Sequence, residues 1–150
     1  MKWDQNTVSN RKLNDRLATS GLRFTAQRQE VFAVILEKRD HPTAEEVFIR
    51  AKRRMPEISM ATVYNCLDAL VKCGLVRHVI LDGGAAHYCP NMAAHCHFRC
   101  EVCGRIYDVA LATKDMATHL PPGFHLNHSE ITLSGQCPHC AETEPAHAFA

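Results

Sequence analysis

Residues 93–104 read AAHCHFRCEVCG, a stretch that holds two histidines and three cysteines. Its Cys100 and Cys103 form one CxxC pair, and Cys137 and Cys140 form a second pair in CPHC. Two such turns can supply four thiolates to one tetrahedral Zn²⁺, so the spacing predicts a structural zinc site. The alternative is a pair of redox dithiols, but the βαβ pattern around a thioredoxin-like site is missing from the sequence.

The two histidines of this stretch remain once the cysteine pairs are assigned. His95 and His97 are two positions apart, so on a strand they face the same side and can begin a second metal site. Alone, such a pair is more often two polar surface residues. Further candidate ligands lie before and after this pair in the sequence. They favour a regulatory site that takes ligands from two domains and controls the angle between them. These candidates are His41, Cys89 and Asp108, with His78 and His87 as alternatives.

The two alternative ligands lie on a predicted hairpin. LVRHVIL and AAHYC flank the turn sequence DGG, which indicates a strand, a turn and a second strand. If the loop is Gly83-Gly84, His78 pairs with Cys89. If the loop is Asp82-Gly83, His78 pairs with His87. Either register brings a hairpin histidine toward the candidate metal site.

Helices are predicted before the hairpin. Thr25 is a candidate N-cap, TAEE at 43–46 is a capping box, and Ser59 begins a helix that Gly74 ends. Short helices followed by a hairpin predict a winged helix-turn-helix whose last helix reads the DNA major groove. The alternative is a small helical core with a surface hairpin. The polar start of the last helix favours DNA, and its candidate contacts are Ser59, Thr62, Tyr64 and Asn65.

Charge is distributed unevenly along the 150 residues. Positions 1–78 hold 14 Lys and Arg against 9 Asp and Glu, whereas positions 79–150 hold 3 against 7. A basic first half suits a nucleic-acid partner, although a randomly uneven solvated surface explains the numbers about as well. A polar N-terminus and the lack of a long apolar run predict a cytoplasmic protein with no membrane partner.

A domain boundary is predicted at Pro90-Asn91, which divides the chain into domains 1–90 and 91–150. The second domain is small, and we expect a metal or a partner subunit to stabilise it. Its predicted elements are strands near 95–100 and 105–110, a helix near 111–119, a strand in HSEITLSG (128–135) and a frayed tail over the last ten residues.

Taken together, the motifs resemble the ferric uptake regulator family of dimeric, metal-dependent bacterial transcriptional repressors. The resemblance is carried by GLRFTAQR (21–28), HPTAEEV (41–47), ISMATVYNCLDALVKCGLV (58–76), HCHFRCEVCG (95–104) and EITLSGQCPHC (130–140). It implies an α+β protein in which a winged helix-turn-helix domain precedes a small α/β dimerisation domain with the four-cysteine zinc site.

The resemblance also implies the roles of particular residues. It assigns a regulatory divalent metal to His41, position 89, His95 and His97, with Asp108 as a further ligand in the peroxide-sensing branch. It assigns contact with operator DNA to Arg23 and Tyr64, in a homodimer with no small-molecule substrate.

Position 89 departs from the family pattern. It holds cysteine where the iron-sensing and peroxide-sensing branches have Glu or Asp. A thiolate is softer than a carboxylate and favours Zn²⁺ over Mn²⁺ or Fe²⁺, as in the zinc-uptake branch. His41 and Asp108 instead resemble the peroxide-sensing branch. The expected effector is therefore Zn²⁺, Fe²⁺ or Mn²⁺.

The sequence predicts a repressor that senses a metal and controls genes of metal homeostasis or oxidative stress. One rival is a redox-sensing transcription factor in which Cys89 and Cys96 form a regulatory disulfide without a second metal. Another is a zinc hydrolase with Cys89, His95 and His97 as an open site. The hydrolase lacks an obvious general base and leaves the basic half without a role, so no catalytic residue is assigned.

Overall fold

The computed structural model describes residues 5–81, 84–110, 117–127 and 129–143. Contacts between residues divide the chain into two compact units, Met1–Met92 and Ala93–Ala150. Among the described residues, no helix has the length and apolar character needed to cross a membrane.

Four helices build the first unit, and three of them begin at the caps that the sequence predicts. Thr25 accepts a hydrogen bond from the Arg28 amide, and Ser59 accepts one from the Thr62 amide. Thr43 and Glu46 form the reciprocal capping box. These interactions satisfy amide groups that have no partner within the helix. The helices are α1 (Gln5–Thr19), α2 (Ala26–Glu37), α3 (Ala44–Lys52) and α4 (Met60–Lys72).

The helix α1 is not predicted from the sequence pattern. Its sequence is largely polar, and its fully buried side chains are Leu13 and Leu17, spaced by four residues. Those two leucines join the core formed by the inner faces of the other helices. Val31 and Ile35 of α2 and Leu67 of α4 are fully buried there. Burial of this shared core stabilises the position of α4.

The hairpin of the first unit consists of β1 (Arg77–Ile80) and β2 (Ala86–Cys89). Its antiparallel register pairs His78 with Tyr88 and Arg77 with Cys89, so both predicted registers are wrong. The Gly84 amide donates to the Leu81 carbonyl, and the buried Leu81 belongs to the loop rather than to a strand. Because Ile80 pairs with Ala86, an odd number of residues (81–85) connects the strands, whereas a two-residue loop would shift the pairing by one position.

The described part of the second unit contains a three-stranded sheet and one α-helix. Its strands are β3 (Cys96–Cys100), β4 (Ile106–Val109) and β5 (Thr132–Gly135), and its helix is α5 (Pro138–Thr143). The strand order is β4-β3-β5, with β4 antiparallel and β5 parallel to the central β3. The ends of β3 and β5 meet where the Glu101 amide donates to the Gly135 carbonyl at 2.8 Å.

Two predictions for this unit differ from the structure or fall partly outside the described residues. Most of the helix predicted near 111–119 lies outside them, and residues 117–119 form a single 3₁₀ turn. The tail predicted over the last ten residues starts inside α5, which continues to Thr143, and residues 144–150 lie outside the described part. In its last turn the Thr143 hydroxyl donates to the carbonyls of His139 and Cys140, at 3.2 and 3.1 Å.

Candidate metal centres

The four cysteines of the two CxxC pairs converge in the second unit. Their four Sγ atoms all lie within 4.8 Å of one another. Cys103 Sγ lies 3.8 Å from Cys137 Sγ. Cys103 is exposed, while the other three, Cys100, Cys137 and Cys140, are buried. A cluster of four thiols with one exposed edge has the ligand number and type of a closed tetrahedral zinc site.

Tight main-chain turns present these sulfurs. The first pair spans the end of β3 and the following turn, where the Gly104 amide donates to the Cys100 carbonyl at 2.9 Å. Gly104 has a φ of 73°, a conformation that favours glycine. The second pair spans the start of α5, and the Cys137 amide donates to Cys100 Sγ at 3.3 Å. The amide therefore links the two pairs directly.

The surroundings of the cluster shift the pKa values of its thiols in opposite directions. Hydrogen bonds from backbone amides, first that of Cys103 and then that of Cys137, lower the pKa of Cys100 to about 6. Burial raises the pKa of Cys140 to about 12, and its contacts with the neighbouring thiols add to the rise. The lowered pKa makes Cys100 a thiolate at neutral pH, and a bound metal would displace the protons of the sulfurs that are still thiols.

Aromatic side chains beside the cluster are functional neighbours that the sequence analysis does not identify. Phe98 on β3 and Tyr107 on β4 are cross-strand partners, and both pack against the cysteines. A hydrogen bond from the Tyr107 side chain also lowers the pKa of Cys137, after the larger effect of the Cys140 backbone. The position of Tyr107 within four residues of a CxxC pair is the signal that could have found it.

A second group of metal-ligating side chains lies on the opposite face of β3. His95 Nε2 lies 3.0 Å from His97 Nε2. The Asp108 Oδ1 lies 3.4 Å from the first of these nitrogens and 3.5 Å from the second. Both imidazoles are buried, and His97 is the cross-strand partner of Asp108. The structure therefore brings together the three candidate ligands of this unit.

His95 is held in the orientation that metal-binding histidines commonly adopt. Its Nδ1 lies 2.7 Å from the Ala93 carbonyl oxygen, which can only accept a hydrogen bond. Nδ1 therefore donates to this carbonyl, and in the neutral ring that tautomer leaves Nε2 as the nitrogen with a lone pair for a metal. Three ligand atoms that converge from one sheet can bind a divalent cation while leaving coordination positions open.

In the first unit, His41 and Cys89 come together. A ring nitrogen of His41 and Cys89 Sγ lie within 4.8 Å of each other, and both residues are buried. His41 occupies the loop between α2 and α3, and Cys89 ends β2. The Tyr88 amide donates to the Pro42 carbonyl at 3.0 Å, so the loop is bound to the strand.

An ion pair also anchors this loop. Arg50 of α3 donates to both carboxylate oxygens of Asp40, at 2.8 and 2.7 Å. Burial raises the pKa of Asp40, but the hydrogen bonds from Arg50 and Lys38 outweigh that effect, so the net pKa is lowered. The carboxylate therefore stays charged beside the candidate ligand His41.

The structure separates the two alternative hairpin ligands. His78 is exposed, and its ring lies 5.4 Å from that of its cross-strand partner Tyr88. His87 points to the same side of β2 as Cys89, because residues two apart on a strand share a face. Its Nδ1 contacts the His41 carbonyl oxygen at 2.7 Å. Among the described residues, neither histidine belongs to a group of convergent metal-ligating atoms.

The candidate DNA contacts lie on the exposed side of α4 and before α2. Tyr64 is 42% exposed, and its hydroxyl donates to the Glu45 carboxylate at 3.4 Å. Thr62 is half-buried and its hydroxyl lies 2.9 Å from that of Ser59. Asn65 and Arg23 are also exposed. A helix with a buried core face and a polar outer face is suited to entering a DNA groove.

The chain is similar to known regulators over most of its length. It is 31% identical over 130 residues to the peroxide-responsive repressor PerR of Staphylococcus epidermidis, covering 84% of this chain and 86% of that protein. The ferric uptake regulator of Pseudomonas aeruginosa, solved with manganese, matches with a TM-score of 0.67 and 25% identity over 83% of this chain and 97% of that one.

The fold agrees with a further solved structure. The Helicobacter pylori ferric uptake regulator, whose structure is described as having three functional metal binding sites, matches with a TM-score of 0.75. That match has 20% identity and covers 97% of this chain and 99% of the other. The model of the ferric uptake regulator family, a family of metal-sensing, DNA-binding repressors, matches residues 19–134. This chain belongs to the ferric uptake regulator family.

Proposed function

We propose that this protein is a metal-dependent repressor that binds operator DNA as a homodimer when a regulatory divalent metal is bound. The observation that carries the proposal is the convergence of the buried His95 and His97 with the exposed Asp108, whose ligand atoms lie within 3.5 Å of one another. Buried imidazoles that converge with a carboxylate in this way are typical of metal sites.

Structural zinc is proposed at Cys100, Cys103, Cys137 and Cys140. The second unit is small, and zinc bound by four thiolates would add its binding free energy to the folding free energy. The lowered pKa of Cys100 supports this role because a thiolate is the form that binds zinc.

The regulatory ion is proposed to take ligands from both units, namely His41, Cys89, His95, His97 and Asp108. Support comes from donor chemistry, from the burial of the four His and Cys ligands, and from membership of the family. Within each unit the ligands are already grouped, so metal binding requires little local rearrangement.

Two properties of the site favour different effector metals. The thiol of Cys89 favours Zn²⁺. The carboxylate of Asp108 is a harder ligand and favours Fe²⁺ or Mn²⁺. Metal analysis of the protein purified from its native host, with and without Cys89→Ser, separates these cases. Two zinc ions per chain that fall to one in the variant support a zinc sensor, whereas one zinc plus iron or manganese supports the other branches.

DNA binding is proposed for domain 1–90 and dimerisation for domain 91–150. The exposed face of α4 supports this assignment, and two copies of the helix would bind half-sites separated by about one turn of DNA. Such a repressor acts in the cytoplasm, where its operator lies. The proposed contacts with DNA are Arg23, Ser59, Thr62, Tyr64 and Asn65.

The disulfide rival gains no support from the described structure. Cys89 is 0% exposed and Cys96 is 1% exposed. Oxidants attack accessible thiolates, so burial slows the formation of a disulfide from either residue. The relatives are regulators, and the proposal assigns no residue to catalysis.

The test is DNA binding by the wild type and by a His95→Ala/His97→Ala variant across added metals. The expected result is that the wild type binds operator DNA only with the regulatory metal and the variant binds weakly with every metal. The matched control is His119→Ala/His125→Ala, which removes two exposed histidines of the same unit. If the wild type and the variant both still bind operator DNA tightly after the regulatory metal is stripped, the proposed function is wrong.

A further inference from the structure

The backbone of His41 has an unusual conformation. Its φ is 54°, and no other non-glycine residue in the described part of the chain has a positive φ. The left-handed region is unfavourable for a residue with a Cβ atom, so surrounding contacts must hold it. Because φ sets the direction of the Cα–Cβ bond, those contacts also decide where the His41 imidazole points.

Side-chain and main-chain contacts hold the residues on either side of His41. Asp40 is bound through its side chain to Arg50 of α3. Pro42 accepts the Tyr88 amide, and Thr43 forms an isolated β-bridge with His87. The loop therefore runs along the edge of β2, the strand that ends at Cys89.

One side chain contacts the main chain of His41 itself. His87 Nδ1 lies 2.7 Å from the His41 carbonyl oxygen. A carbonyl oxygen accepts hydrogen bonds and cannot donate them, so Nδ1 carries the proton and donates. This hydrogen bond fixes the peptide plane that follows His41, and it acts from the same face of β2 as Cys89.

We propose that His87 is a positioning residue for the regulatory metal, and that its hydrogen bond to the His41 carbonyl holds the His41 imidazole beside Cys89. The proposal rests on the proposed function, because it takes His41 to be a metal ligand. It differs from a ligand role for His87, since the group of convergent atoms in this unit contains His41 and Cys89 and not His87. Residues that orient a metal ligand in this way typically change metal affinity by about 10- to 100-fold when they are removed.

The chemistry of asparagine and glutamine separates positioning from ligation. The amide nitrogen of Asn lies near the position of His Nδ1 and can donate to the same carbonyl, whereas that of Gln lies near Nε2. If the hydrogen bond is the function of His87, then His87→Asn restores metal binding and His87→Gln does not.

The experiment uses the full-length protein with structural zinc bound to its four cysteines. Competition with a chelator measures its affinity for Zn²⁺ and Mn²⁺ at the regulatory site. We expect His87→Ala to weaken binding about 10-fold or more and His87→Asn to bind close to the wild type. The control is His78→Ala, which removes the exposed histidine of the neighbouring strand. Thermal unfolding of each metal-free variant separates loss of metal affinity from loss of fold.

Each outcome has one meaning. If His41→Ala leaves affinity unchanged, the proposed regulatory site is wrong. If His41→Ala weakens binding and His87→Ala does not, the positioning role alone is wrong. If His87→Asn is as weak as His87→Ala, the ring itself is needed and the positioning role is again overturned. If His87→Ala does not fold, the comparison of His87→Asn with His87→Gln decides, and equal affinities refute the inference.

Discussion

His97 on β3 and Asp108 on β4 are cross-strand partners, and His97 Nε2 lies 3.5 Å from Asp108 Oδ1. The sheet register therefore places an imidazole and a carboxylate at the distance of two ligands of one ion. Asp108 is the one oxygen donor among the proposed regulatory ligands, whose other members offer nitrogen or sulfur, so its removal should affect hard cations most.

We expect Asp108→Asn to weaken binding of Mn²⁺ by about 10- to 100-fold and binding of Zn²⁺ less. The amide keeps the shape of the side chain but removes its charge. Chelator competition measures both affinities. The control is Glu101→Gln, which removes an exposed carboxylate in the turn that follows β3. Equal losses for the two metals would show that Asp108 does not discriminate between them.

Replacing the Cys89 thiol with a carboxylate should shift the metal preference from Zn²⁺ toward Mn²⁺. Cys89→Asp replaces a soft thiolate with a hard carboxylate, so we expect Zn²⁺ affinity to fall and Mn²⁺ affinity to rise, with about a 10-fold or larger change in their ratio. Metal titrations monitored by DNA binding measure the ratio. Cys96→Ser is the control because it removes another buried thiol. An unchanged ratio would exclude Cys89 as a ligand.

The pKa of Cys100 predicts how many protons zinc releases. Its value of about 6 lies below the ordinary thiol value, so at pH 7.5 Cys100 is a thiolate in the folded protein. Four ordinary thiols would release close to four protons, whereas this cluster should release roughly three or fewer. The thiolate is lost as the pH falls through 6, so zinc binding should depend more steeply on pH below that value.

Calorimetry in buffers of different ionisation enthalpy measures the number of protons released. A Cys100→Ser variant should bind zinc far more weakly, and Cys66→Ser, which changes a buried thiol of α4, should leave the count unchanged. A release of four protons by the wild type would contradict the lowered pKa of Cys100.

Arg23 is a proposed DNA contact, and we expect its guanidinium to bind a phosphate. Arg23→Ala should weaken binding to all DNA sequences and reduce the slope of log affinity against log salt by about 1. Fluorescence anisotropy at several salt concentrations measures that slope. The control is Arg54→Ala, because Arg54 is paired with Glu30 and Glu37. If both variants have the wild-type slope, Arg23 does not contact a phosphate.

Leu67 of α4 is fully buried in the core of the first unit. Leu67→Ala should lower the free energy of unfolding by about 2–5 kcal/mol through lost burial and the cavity left behind. Zinc content should stay at the wild-type value, because the four cysteines belong to the second unit. Denaturant unfolding and metal analysis measure the two quantities. Loss of zinc in the folded variant would contradict separate units, and the exposed Ile49→Ala should change neither quantity.

Much of the local structure follows from short-range chemistry that is visible in the sequence. Thr25, Thr43 and Ser59 cap helices because their side-chain oxygens reach backbone amides three residues away. The four-cysteine cluster follows from two CxxC pairs, because a pair in a tight turn already presents two sulfurs together. The helix α1 was missed because its two buried leucines give too weak a periodic signal.

Only the tertiary structure decided relationships between residues that are distant in the sequence. The register that pairs His78 with Tyr88 depends on a loop whose length cannot be read from DGG, since Leu81 is buried instead of paired. The left-handed backbone of His41 and its hydrogen bond to His87 depend on packing of the loop against β2. The sequence by itself determined which side chains can bind metal and where the capped helices α2, α3 and α4 begin, because those properties are local. Which hairpin histidine lies against the His41 carbonyl was decided by the fold, because a difference of one residue in register reverses the face on which a side chain lies.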